Sequence, residues 1–229
     1  MISYGLGVAP RLPFLDSVKN DGATRDGGAR NGIKGEARWK VAIVDDHERS
    51  RAALRAAIWA AGGEIAGEAY RASDALALVQ RTRPHVAIFA VGLPDSDGID
   101  VASDVIAKAG CPVVLFTSHT DEKLTERARE AGVMAYLLKP LRPAELAPAL
   151  DLAVARFRET QELKQTLEDR KVIERAKGRL MARHSLTEEQ AFQRLRRAAM
   201  DSRRPMVEIA RAVLVSETVT STTTENTRI

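Results

Sequence analysis

Between residues 40 and 138, five short runs of apolar, β-type residues alternate with stretches of helical character. The runs are Lys40–Val44, Glu64–Ala69, Val86–Val91, Pro112–Thr117 and Met134–Leu138. Val86-Ala-Ile-Phe-Ala-Val91 is apolar at every position. Such a strand has no side to turn to water, and a parallel sheet covered by helices on both faces buries it. The helical stretches between are Arg49–Ala61, ended by Gly62-Gly63, Ser73–Arg81 with Ser73 as N-cap, Asp100–Ala109, and Glu122–Ala131 stopped by Gly132. Pro143 opens a fifth. The expected fold class is α/β, a five-stranded, parallel, doubly wound domain over residues 38–145, with its site at the carboxyl edge of the sheet.

The pattern then changes. Ala144 to about Arg183 reads as nearly continuous helix. Leu146, Leu150, Ala153, Phe157 and Thr160 keep a 3–4 spacing, and Leu163 and Leu167 continue it with a slip. Two readings stay open for this linker helix (146–166): a short coiled coil that makes a homodimer, or a connecting helix packed on its own domain. Thr187 with Gln190 is a capping-box pattern opening Glu188–Met200, and Pro205 fits the first position of a helix over Met206–Val215. Residues 167–215 are thus expected to form a small all-α three-helix module. Residues 1–37 have no hydrophobic period and seven glycines, and 216–229 are mostly Ser and Thr. Both are expected to be disordered.

Charge singles out the module. The 229 residues carry 35 basic and 31 acidic side chains, yet residues 170–215 alone hold 12 and 5. A concentrated basic segment is the footprint of a polyanion binder; a solvated helical surface is the plainer alternative. Aromatic residues are 4% of the chain, which argues against base stacking on a sheet platform. One cysteine, Cys111, excludes an intramolecular disulfide and a Cys-cluster zinc site, and a reducing, cytoplasmic setting is the simplest expectation. No apolar run approaches the roughly 18 residues of a membrane span. The four histidines are scattered and no nucleophile–base set is present, so no enzyme is expected.

Three features meet at the carboxyl edge of the expected sheet. Asp45-Asp46 follows the first strand, Thr117 ends the fourth and Lys139-Pro140 ends the fifth. Paired carboxylates suit a hard cation such as Mg²⁺, and a lysine and a hydroxyl suit a phosphoryl group. With Leu93-Pro94, Asp97-Gly98 and the aromatic Tyr136, these residues resemble the receiver domain of response regulators, a flavodoxin-like fold. The resemblance implies a phosphoacceptor aspartate closing the third strand, four residues before the loop proline. That position here is Ala90. A methyl group is no nucleophile, and one Mg²⁺ ligand is lost with the carboxylate. The expectation is a pseudo-receiver with no required cofactor and at best a weak Mg²⁺ site at Asp45 and Asp46.

The segment from Leu167 to Met181, with Val172-Ile173, Ala176-Lys177-Gly178 and Leu180-Met181, continues into Ala191-Phe192 and Leu195-Arg196. It resembles the ANTAR domain, a three-helix RNA-binding antitermination module. The resemblance implies contacts from Arg175, Lys177, Arg179, Arg194, Arg196, Arg203 and Arg204 to RNA hairpins of leader transcripts, with Lys177 alternatively bracing the fold. Phe192 and Met181 read as core residues. A mid-helix glycine at 178 suggests a close approach by nucleic acid or another helix. The receiver face is expected to meet a sensor or regulatory protein. The competing reading, a DNA-binding response-regulator transcription factor, is disfavoured because Asp201-Ser-Arg-Arg204 lacks the usual turn glycine.

Overall fold

The computed structural model describes residues 37–224, and of residues 217–224 the backbone alone. The expected disordered leader, residues 1–36 of it, lies outside the described residues. The elements run β1 (Lys40–Val44), α1 (Glu48–Ala60), β2 (Glu64–Ala69), α2 (Ala72–Thr82), β3 (Val86–Ala90), α3 (Gly98–Ala109), β4 (Val113–Thr117), α4 (Glu122–Glu130), β5 (Ala135–Leu138), α5 (Pro143–His184), α6 (Glu188–Ser202) and α7 (Met206–Thr224). The chain forms two compact units that divide between Arg158 and Glu159, inside α5.

In the first unit the five strands form one parallel sheet in the order β2-β1-β3-β4-β5. Alternation along each strand splits the apolar residues between two cores. Ala42, Val44, Phe89 and Leu115 face α2 and α3, with Leu78, Val79, Ile99 and Val105. Val41, Ile43, Ile88 and Phe116 face the other way, against Leu54 and Ile58 of α1 and Leu146, Leu150 and Ala153 of α5. The first turns of α5 therefore belong to this unit's core. An expected domain end at residue 145 is too early, because Leu146, Leu150 and Ala153 complete the core on the sheet's second face beside α1. Cys111 is fully buried before β4, and burial pushes its thiol up to about 12.

Two local devices set the loop after β3. A Cβ on Gly98 would come within 1.9 Å of the Ala90 carbonyl oxygen, so only glycine lets α3 start this close to the strand. The Gly98 N–H donates to the Val91 carbonyl at 2.7 Å. Asp95 caps α2 from this loop: its carboxylate accepts from the Ala72 and Ser73 N–H groups at 2.8 and 3.0 Å. Ser73 is thus not the N-cap. Arg71 holds that position without a side-chain cap, and the helix begins at Ala72. The backbone donors at Ser73 and Ala72 hold the Asp95 carboxyl below its ordinary value of 3.8.

In the second unit the C-terminal part of α5 packs with α6 and α7 around Ala176, Leu180, Ala191, Leu195 and Ala210. The capping box forms as read: Thr187 Oγ1 accepts from the Gln190 N–H, and Gln190 Oε1 accepts from the Thr187 N–H. Met181 packs against this core, whereas Phe192 is absent from it. Helix α7 continues to Thr224, past the expected stop at Val215 and into the stretch expected to be disordered. Extending a packed helix adds a hydrogen bond per residue without a new nucleation cost. A Cβ on Gly178 would meet nothing within 4 Å, so no part of the described chain approaches that backbone.

The two glycines should respond with opposite sign. Gly98→Ala should lower stability by at least about 2 kcal/mol, because backbone must move to admit the methyl. Gly178→Ala should raise it by about 0.5–1 kcal/mol, since it relieves a helix-interior glycine in open space. Urea unfolding of the two variants measures both. The Asp95 cap should show in acid. A depressed carboxyl contributes stability above its unfolded value and loses it as pH falls through the folded one. The melting temperatures of the native protein and Asp95→Ala should differ at pH 7 and converge below about pH 3.8.

Candidate functional site

The carboxyl edge of the sheet is organised by Asp45, which is 1% exposed. Lys139 Nζ donates to its Oδ2 at 2.7 Å, and the His47 N–H donates to its Oδ1 at 2.8 Å. Strands β1 and β5 are not neighbours, so the Asp45–Lys139 pair reaches past β3 and β4. Lys139 Nζ also lies 4.9 Å from the Phe116 ring centroid, within cation–π range. A 2.6 Å hydrogen bond joins Asp46 Oδ1 to His47 Nδ1. Buried Arg51 donates to the Asp45 carbonyl at 2.7 Å, pairs with Glu48 and Glu68, and stacks on Tyr70.

Ala90 ends β3 and is 2% exposed. Thr117 is buried, and its hydroxyl donates to the His119 carbonyl at 2.9 Å. Tyr136 on edge strand β5 is 49% exposed. Nearby, Asp97 caps α3 through the Ile99 N–H and pairs with Arg127 of α4 at 2.9 Å. Both loop carboxylates, Asp95 and Asp97, are thus committed to backbone and Arg127.

This donor set does not fit a resident Mg²⁺ ion, which takes six oxygens in near-octahedral order. The position on β3 offers a methyl group, and the Lys139 ammonium sits on Asp45. Ligand atoms of Asp45, Asp46 and His47 do lie within 4.8 Å of one another, but each carboxylate already accepts from the chain's own donors. In the sequence His47 counts only among the scattered histidines, and Arg51 is not singled out. Adjacency to the acidic pair was the only available sign for the histidine.

On the helical unit the basic residues sort into two kinds. Lys177, 9% exposed at its side chain, donates to both Glu174 oxygens at 3.0 Å and to Glu188 at 2.7 Å. These carboxylates, Glu188 first, raise its pKa, and Lys177 in turn lowers that of Glu188. It braces α5 against the start of α6 rather than offering its charge outward. Lys171 pairs with Glu168 and Arg211 with Asp169. Arg175 and Arg179 are exposed on α5, Arg175 within the field of Glu168. By contrast, Arg194, Arg196, Arg197, Arg203 and Arg204 are exposed and in no ion pair among the described residues. Free positive charge is therefore gathered on α6 and the turn after it.

Comparison with known proteins agrees with this division. Residues 41–151 match the response regulator receiver domain and residues 161–214 the ANTAR domain. Over 182 residues the chain is 42% identical to the transcriptional regulatory protein PdtaR of Mycobacterium tuberculosis, spanning 76% of this chain and 89% of that protein. It is 34% identical over 113 residues to the DNA-binding transcriptional activator DevR/DosR of the same organism, spanning 48% of this chain and 52% of the relative. The fold is also that of a signal receiver domain of a modulated diguanylate cyclase from Desulfovibrio desulfuricans, with a TM-score of 0.50, 24% identity and coverage of 53% of this chain and 98% of the other. With both domains matched in order and a relative aligned through most of its length, the chain belongs to the response regulators that join a receiver domain to an ANTAR domain.

Proposed function

We propose that this protein is an RNA-binding antitermination regulator whose receiver domain does not take a phosphoryl group on aspartate. The observation that carries the RNA reading is the set of five exposed, unpaired arginines on α6 and the following turn, within an ANTAR domain. Phosphate contacts from such residues supply sequence-independent affinity, and contacts to loop bases of a hairpin supply selectivity. The charge counted in the sequence overstates what a nucleic acid meets, since Lys171, Lys177 and Arg211 are neutralised within the fold.

The loss of phosphorylation rests on Ala90 and on the occupation of Asp45 by Lys139. In-line phosphoryl transfer needs a nucleophile held at the strand end, and neither Asp95 nor Asp97 is free to serve. The receiver is then a signalling surface without its chemical switch. A cytoplasmic setting follows from a transcript as partner; among the described residues no helix is long and apolar enough to cross a membrane.

The protein works as a homodimer in this reading. Leu146, Leu150 and Ala153 of the expected seam are used in the receiver core, which leaves Leu163 and Leu167 of α5 as the exposed apolar residues for a partner helix. The alternative DNA-binding reading draws on DevR/DosR, but that similarity spans only about half of either protein.

Acetyl phosphate with Mg²⁺ should leave the intact mass unchanged, while Ala90→Asp should gain one base-labile phosphoryl group. Labelling of the native protein on an aspartate defeats this part of the proposal. Hairpin RNA should outcompete duplex DNA of matched sequence in a binding assay. Arg194→Ala should weaken that binding and flatten the slope of log affinity against log salt by about 0.7–0.9, the share of one phosphate. Lys177→Ala should lower the melting temperature and leave the salt slope of the folded fraction unchanged. An altered slope for Lys177→Ala would return that lysine to the RNA interface.

A further inference from the structure

Helix α6 carries two unlike basic faces. On one, Gln190, Gln193, Arg194, Arg197, Ala198 and Asp201 line a depression of about 530 Å³ that holds a carboxylate beside its two arginines. On the other, a groove of about 410 Å³ opens between α6 and the start of α7. Its floor is apolar, built from Phe192, Ala199, Met200 and Met206. Its remaining lining residues are Arg196, Arg203 and Arg204, and no acidic side chain lines it.

Each part of the groove has a separate cause. Phe192 falls beside the Ala191–Leu195–Ala199 stripe that α6 turns to the core, so its ring is half-buried at the edge. Met200 is 68% exposed, a large apolar side chain with no partner in the core cluster. Arg203 ends the helix in the left-handed region at φ 53°, where glycine is the usual residue. That turn sets Arg203 and Arg204 at the mouth of an apolar floor. A half-buried ring, an exposed thioether and three guanidinium groups in no ion pair thus lie side by side. They do match a ligand that is flat and apolar in one part and anionic in the next.

We infer that this groove receives an unpaired nucleobase extruded from an RNA hairpin loop, with Arg196, Arg203 and Arg204 holding the phosphates that flank it. The inference rests on the RNA-binding reading above and names the subsite within it. An unstacked base brings both chemistries in one unit: a π-face for Phe192 and Met200, and phosphates on either side for the arginines. The groove is short, running from Phe192 and Arg196 of α6 to Met206 at the start of α7, which suits a single base rather than a protein helix. The polar face of α6, with Arg194 and Arg197, then tracks the backbone without reading a base.

The test uses the full-length protein, a hairpin chosen by it from a random-loop RNA pool, and 2-aminopurine or an abasic nucleotide placed at each loop position in turn. One loop position should change its 2-aminopurine fluorescence on binding, and an abasic nucleotide there should weaken binding roughly 10-fold. Met200→Ala should produce a loss of similar size, abolish that fluorescence change and leave the salt slope intact. The two losses should not add when combined, as expected of two partners in one contact. Met200 is mostly exposed, so the variant is expected to keep its fold, and circular dichroism checks this. If Met200→Ala and every abasic loop bind as tightly as the originals while Arg194→Ala still weakens binding, the base site is wrong and the RNA reading survives. If the pool yields no hairpin preferred over duplex DNA, the RNA reading itself fails and the base site with it.

Discussion

The receiver unit depends on a buried carboxylate that has to be neutralised. Asp45 is at the end of β1 with almost no solvent, and the Lys139 ammonium at 2.7 Å supplies the counter-charge from β5. Removing either partner strands a charge in the fold, at a cost of about 3–5 kcal/mol for a buried pair. The same carboxylate accepts the His47 N–H, and its backbone carbonyl accepts from Arg51, so the pair also fixes where α1 begins. Asp45 and Lys139 thus have work to do that involves no phosphoryl group. Once one of the two is present in the fold, the other is needed to neutralise it.

The loop after β3 follows the same logic. Its acceptor position holds a methyl group, yet its frame is tightly specified. Gly98 lets α3 approach the strand, Asp95 caps α2, and Asp97 caps α3 while reaching Arg127 of α4. Three helices are tied to one loop by side chains whose roles are structural. None of these ties passes through the Ala90 side chain.

Much of this was legible in the residues. Fully apolar strands announced a parallel sheet, and the positions of Asp45 and Lys139 past its first and fifth strands announced that the two would pair. Thr187 and Gln190 announced their helix start, because a capping box is local chemistry. What escaped was set by contacts distant in sequence. The cap of α2 comes from a residue more than twenty positions away, so Ser73 looked sufficient on its own. The apolar spacing of Leu146, Leu150 and Ala153 fits a coiled coil and a core helix equally well, and only their packing on the sheet beside α1 decides between them. Lys177 reads as one more cation in a basic segment until Glu188 is found across from it. Phe192 reads as core because its helix phase is a single residue away from the buried stripe.

The buried thiol before β4 has a practical side. Cys111 is buried, and burial pushes its thiol up to about 12, so it is both protonated at neutral pH and shut off from reagents. The chain has no other sulfhydryl. Maleimide dyes and nitroxide labels should therefore pass the native protein by, and any cysteine introduced on its surface becomes a unique handle for spectroscopy. By the same token, the folded chain shields its one sulfhydryl from oxidants and glutathione.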